Sequence, residues 1–214
     1  MRSDTELKYF PLFLDLSRKR FLIVGGGKVA ERKIRMLLRF KAKIKVVSPN
    51  LKKGLRLLGN KGLIEVIEKK YDPQDLDGVD FVISATNDNE INKKVVFDAK
   101  ERGLLVSSVD DPSLCDFIMP SIVKRGSIVI AISTQGKLPH LSKRLKREIG
   151  KFLTKDYVKY LSKIGKLRAE LISKVKEEEK RKLLFEKISG FTVEELANMS
   201  TKKIRELIAG LDKE

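Results

Sequence analysis

The chain has one cysteine, Cys115, and one histidine, His140, in 214 residues. A single cysteine excludes an internal disulfide framework and any metal site built on several thiolates. A single histidine excludes a centre built on two or more imidazoles, so no resident metal site is expected. Tryptophan is absent, and Gln74 and Gln135 are the only glutamines. Long apolar runs are missing too, and none approaches the ~20 residues of a membrane-crossing helix. The first residues, Met1-Arg2-Ser3-Asp4-Thr5-Glu6, show no apolar core behind a basic cap, so a cytoplasmic protein is expected.

Charge, by contrast, is plentiful. Lys and Arg number 46 against 29 Asp and Glu, a formal net charge of +17. With 42% hydrophobic and 35% charged residues, the composition is that of a folded globular chain and not of a disordered one. A basic surface attracts polyanions, either nucleic acid or a small molecule carrying many carboxylates. It is also what a Lys/Glu-rich, heat-adapted surface looks like, and the scarcity of glutamine fits that reading. No helix-turn-helix or RNP-type signature and no interleaved aromatics support nucleic acid.

The first half alternates between strand and helix patterns. Phe21–Val24 is a short apolar run ending in glycines, as in a strand buried on both faces. Val29, Ala30, Ile34, Leu37 and Leu38 recur at helical spacing. Ile44–Val47, Leu63–Ile67, Phe81–Ala85 and Leu104–Val109 predict four more strands, with a helix over Asn89–Arg102 closed by Gly103. Such alternation implies a parallel, doubly wound sheet. After Pro112 the pattern changes to two strand-like runs, Ile118–Val123 and Ser127–Ser133, joined by Lys124-Arg125-Gly126. Their short edges would be unpaired in a monomer, which points to a homodimer. Beyond Pro139 the chain reads as helical, with a solvated charge run at 177–182 and a last helix over Lys202–Ala209 capped by Ser200-Thr201. Tyr9, Phe10 and Phe13 are expected in the core. The expected division is 1–112, 113–150 and 151–214.

Gly25-Gly26-Gly27-Lys28-Val29-Ala30 fits G-x-G-x-x-A and sits between a strand and a helix, as that motif requires. Gly25 allows the tight turn, Gly27 lets backbone approach a pyrophosphate, and Ala30 keeps the helix close to the sheet. The acidic residue that usually ends the second strand is missing. Ser48 or Asn50 is positioned to bind a ribose hydroxyl, and Lys45 or Lys52 to tolerate a 2′-phosphate, leaving NAD and NADP both open. Thr86, after the fourth strand, is either a cofactor contact or the cap of the next helix. Asp110 follows the fifth strand, where a carboxylate can take a proton while hydride leaves to a cofactor; turn formation is its competing role, as it is for Asp111.

These residues carry a resemblance. Pro11–Leu16 and Phe21–Lys33, then Ser84–Asp88, Val109-Asp110, Phe117–Ser121 and Ala131–Gly136, resemble in order the precorrin-2 dehydrogenases, the N-terminal module of siroheme synthases. The matching region covers roughly residues 9–150. The resemblance implies an α/β fold: a Rossmann-type parallel sheet domain, a small β dimerisation element and a C-terminal helical region. It implies NAD+-dependent oxidation of precorrin-2, a small polyanion bearing eight carboxylates, to sirohydrochlorin. In some members a sirohydrochlorin ferrochelatase activity, with Fe2+ as its substrate, is added. It places the proton-handling aspartate at Asp110 and NAD contacts at Lys28, Val29, Pro49 and Asn50. The chain departs from the pattern at His140, where the family usually has an apolar residue. A basic cluster at Lys137, Lys143, Arg144, Lys146 and Arg147, opposed only by Glu148, is suited to a carboxylate-rich substrate. The rival function is a nucleotide-sensing regulatory module without catalysis.

Overall fold

A computed structural model describes residues 8–211. The chain divides into two compact units, Met1–Met119 and Pro120–Glu214.

The first unit is a five-stranded parallel sheet. Its strands are β1 (Arg20–Val24), β2 (Lys43–Val47), β3 (Glu65–Ile67), β4 (Phe81–Ser84) and β5 (Leu105–Ser108), in the order β3-β2-β1-β4-β5. The crossovers carry α1 (Lys28–Leu38), α2 (Lys53–Asn60) and α3 (Asn89–Glu101). This is the Rossmann-type fold expected from the alternating pattern. Helices α1 and α2 cover one face of the sheet and α3 the other, and the direction of winding reverses between β1 and β4.

Period-two alternation sends β1 side chains to both faces. Phe21 and Ile23 join Ile34, Leu37, Leu55 and Leu58, while Leu22 and Val24 join Val95, Val96 and Val106. The Phe21 and Phe81 rings stack at 4.8 Å, and Phe117 meets Phe81 edge-on at 5.6 Å. Phe117 and Met119 thereby draw the chain after β5 back over the sheet. Asp116 binds the outer edge of β5, its backbone N–H donating to Val106 O (2.8 Å) and its carboxylate accepting from Val106 N (3.0 Å).

Several local expectations need correction. The strand expected from Ile118 begins only at Ser121, because Met119 is held in the sheet unit's core and Pro120 has no N–H to donate. Helix α2 was not legible: Lys52 provides no side-chain cap, and Gly54 and Gly59 weaken its helical signal. Leu55 and Leu58, both buried, hold it on the sheet. Phe10 and Phe13 are exposed rather than in the core, in a stretch without helix or strand tethered by Tyr9 Oη donating to Pro112 O (3.3 Å).

In the second unit, β6 (Ser121–Arg125) and β7 (Ile128–Ile132) form an antiparallel hairpin, its turn opened by Gly126 at φ 56°. Helix α4 (Pro139–Phe152) packs on the hairpin. Four helices follow: α5 (Lys155–Lys174), α6 (Glu178–Ser189), α7 (Val193–Asn198) and α8 (Thr201–Leu211). Leu167, Leu171, Leu184, Ile188, Leu196 and Ile204 make their core. Ser200 caps α8 as expected, accepting from Lys203 N (3.2 Å). The charge run expected over 177–182 is largely helical, because α6 begins at Glu178.

Candidate active site

The three loop glycines have three different environments. Gly25 adopts φ 124°, and a β-carbon there would lie 2.3 Å from the Ala85 carbonyl oxygen. Its lack of a side chain lets the ends of β1 and β4 meet where the winding reverses. A β-carbon on Gly26 would lie 2.0 Å from the Asn50 carbonyl oxygen, and Gly26 O accepts from Lys52 N (3.0 Å). That glycine therefore closes the turn onto the loop after β2. Nothing lies within 4 Å of a β-carbon at Gly27, which is the N-cap of α1 and provides no capping side chain. The first N–H groups of α1, at the positive end of an 11-residue helix dipole, thus receive no capping side chain. This cradle fits the pyrophosphate of a dinucleotide. Lys28 and Val29 are exposed beside it, and Ala30 is fully buried against the sheet. Lys28 also lines a surface hollow of about 290 Å³ with Glu31, Arg32 and Arg35.

After β2, Ser48 is buried and its hydroxyl donates to Asn50 O (2.9 Å), while Pro49 and Asn50 are exposed. Ser48 therefore uses its proton within the loop. Lys45, weighed above for a 2′-phosphate, turns instead to Asp75, donating to its carbonyl (3.2 Å) and pairing with its carboxylate (3.7 Å).

The ends of β4 and β5 converge on one side chain that the motifs did not single out. Asn92, in the first turn of α3, is only 1% exposed. Its Oδ1 accepts from Ser84 Oγ and from Thr86 N (3.1 Å), and its Nδ2 donates to Thr86 O (3.2 Å) and to Asp110 Oδ2 (2.9 Å). Thr86 Oγ1 lies 2.8 Å from Asn92 Oδ1 and 2.9 Å from Asp88 O, either of which can take its proton. Asp88 caps α3, accepting from Glu90 N and Ile91 N, so capping is not the role of Thr86. A signal was present: Asn92, Val95, Val96 and Ala99 share one buried stripe, and a lone polar residue on such a stripe needs partners.

Asp110 is exposed at the lip, yet both of its carboxylate oxygens are engaged. Oδ1 accepts from Ser108 Oγ, and Oδ2 from Asn92. Burial pulls this carboxyl upward, but the bonds from Ser108, Asn92 and the nearby backbone prevail and hold it below the ordinary carboxylate range. Asp111 is the turn former, accepting from Ser113 N (2.8 Å) and Ser113 Oγ (2.5 Å). Cys115 is buried between Ser108 and Asp111, its Sγ accepting from Ser108 N (3.1 Å) and lying 3.2 Å from Ser108 O and 3.4 Å from Asp111 O. His140 is exposed near the start of α4. Among the described residues, no three His, Cys, Asp or Glu side chains are grouped to hold a metal ion.

Comparison with known proteins agrees with the Rossmann-type fold. Residues 12–121 match the family described as "Putative NAD(P)-binding". A solved structure, "SirC, precorrin-2 dehydrogenase", superposes with a TM-score of 0.76 at 30% identity, covering 96% of this chain and 100% of that one. The chain belongs to the NAD(P)-binding family of this precorrin-2 dehydrogenase. The siroheme synthase of Zymomonas mobilis is 38% identical over 181 residues, 85% of this chain and 38% of that protein. That of Vesicomyosocius okutanii is 36% identical over 191 residues, 89% and 41% respectively. The siroheme synthase of Baumannia cicadellinicola is 45% identical over 143 residues, 67% and 31%. This member of the family thus spans about two fifths of the siroheme synthases it matches. No helix among its described residues is long and apolar enough to cross a membrane.

Proposed function

We propose that this chain is an NAD+-dependent precorrin-2 dehydrogenase, oxidising precorrin-2 to sirohydrochlorin in siroheme biosynthesis. The observation that carries this reading is an uncapped N-terminus of α1 at the same carboxyl edge of the sheet as a carboxylate after β5, in a chain that aligns end to end with a dehydrogenase of that name. A regulatory module that only senses nucleotide has no use for a hydrogen-bonded carboxylate at that lip.

Bound NAD+ supplies the hydride acceptor. The backbone of Gly25, Gly26 and Gly27, with Lys28 and Val29, would hold its pyrophosphate. Ser48, Pro49 and Asn50 would line the adenosine side, and Thr86 the nicotinamide side. Oxidation removes one hydride and one proton from the reduced macrocycle and extends its conjugation. Asp110 receives the proton: it is a carboxylate at the lip, ionised at neutral pH, with lone pairs still free to accept. The hydrogen bonds that lower its pKa make it an acceptor that passes the proton on readily. The rest of catalysis is positioning of substrate and cofactor.

The finer parts of this reading follow from the same resemblance. The hairpin and α4 serve as a dimerisation element in a homodimer, with the Rossmann domain before it and the last four helices as a third part. The exposed Lys143, Arg144, Lys146 and Arg147 of α4 attract the substrate's carboxylates. Iron chelation, with Fe2+ and sirohydrochlorin as substrates, is a further activity to be assayed. The cytoplasm is the compartment in which this chemistry would run. Anaerobic incubation with precorrin-2 and NAD+ should give NADH and the sirohydrochlorin spectrum together. No turnover with either NAD+ or NADP+ would overturn the reading.

A further inference from the structure

We propose that Asn92 is the positioning residue for Asp110, locking the proton acceptor to the cofactor-side loop through one buried amide. The proposal rests on the reading of Asp110 as the residue that takes the proton.

The geometry leaves the amide one orientation. Thr86 O and the Asp110 carboxylate can only accept, and Thr86 N can only donate. Nδ2 must therefore face Asp110 and Thr86 O, and Oδ1 must face Thr86 N and the Ser84 hydroxyl. The four contacts come from three places: the end of β4, the loop after β4 (twice), and the loop after β5. A single side chain on α3 thus sets the distance between Thr86 and Asp110. It is only 1% exposed, and among the described residues no buried side-chain nitrogen or oxygen lacks a partner, so the network is fully satisfied.

The amide also acts on the charge of Asp110. Donation from Nδ2 favours the ionised carboxylate, in concert with Ser108. The other charges that face Asp110 are Asp111, its neighbour in the same turn, and Lys93 of α3, itself paired with Glu90 at 3.0 Å. Asp111 opposes ionisation and Lys93 favours it, and neither touches the carboxylate as Asn92 does.

The test uses two Asn92 variants and one double variant of this chain beside Asp110→Asn. Asn92→Asp keeps shape and volume but replaces the donor that faces Asp110 by an acidic oxygen. It should move the acidic limb of the kcat profile to higher pH and lower kcat at neutral pH. Asn92→Ala should lower kcat by about 10- to 100-fold, as expected when a reacting group is released from its geometry. NAD+ affinity, read by fluorescence titration, should change less than threefold in Asn92→Asp. The double variant Asn92→Asp/Asp110→Asn should be no slower than Asp110→Asn alone. A wild-type pH profile in Asn92→Asp, with Asp110→Asn slow, would overturn the positioning role and leave the proton-acceptor reading standing. Full turnover by Asp110→Asn would instead remove the reading on which the role rests. If Asn92→Ala does not fold, the isosteric variant still decides.

Discussion

The two halves of the sheet end differently at the carboxyl ends of their strands. At the β1–β2 end the work is done by backbone: Gly25 and Gly26 close the turn against neighbouring carbonyls, and Gly27 leaves the start of α1 bare. At the β4–β5 end it is done by side chains: Ser84, Thr86, Asn92, Ser108 and Asp110 satisfy one another almost completely. One end keeps donors unfilled for a ligand. The other spends its donors on fixing a carboxylate. The contrast matches the two tasks of the proposed reaction, in which a pyrophosphate would be received at one end and a proton acceptor aimed at the other.

Substitutions on either side sharpen this contrast. The largest effect is expected from Asp110→Ala, which should slow turnover by roughly 10²–10⁴-fold while NAD+ affinity stays within twofold. Steady-state kinetics and cofactor titration on the same preparation separate the two. Next comes Gly25→Ala. With φ 124° and a β-carbon at 2.3 Å from a carbonyl oxygen, it should cost more than about 3 kcal/mol of stability, read by denaturant unfolding. Gly27→Ala, at φ −85° in open space, should cost about 1 kcal/mol or less and weaken NAD+ binding alone. If both glycine variants destabilised equally, the division of labour within the loop would be wrong.

The smallest effect concerns pH. A carboxyl held below its ordinary value is ionised throughout the neutral range, so kcat/KM should show no loss from this group until pH falls below the usual carboxylate range. The sign for stability is the same. The hydrogen bonds to ionised Asp110 contribute above the unfolded pKa and are lost as pH falls through the folded one. A limb rising near neutrality would assign proton handling to another group.

The legibility of the chain followed the same contrast. The five strands of the sheet, helices α1 and α3 and the glycine loop could be read because apolar runs such as Phe21–Val24 and periodic stripes such as Ala30, Ile34 and Leu37 are local signals. The position of Asp110 at a strand end could be read in the same way. Asn92 could not be assigned a partner, because its bonds span 18 residues to Asp110 and depend on β4 and β5 being neighbours. Helix α2 escaped because its stability comes from Leu55 and Leu58 docking on the sheet and not from caps or propensity. Phe10 and Phe13 looked like core because hydrophobicity alone does not reveal which side of a segment meets water.

Cys115 gives this arrangement a reporter. Its thiol sits beneath the turn that carries Asp110, bonded to Ser108 on one side and lying near Asp111 O on the other, and it is the one cysteine in the chain. A thiol reagent can reach this buried sulfur only when the structure around it opens, so the labelling rate would report opening of the segment that includes that turn. Clamping by cofactor or substrate would then register as slower modification, turning a buried sulfur into a clock for the opening of the site.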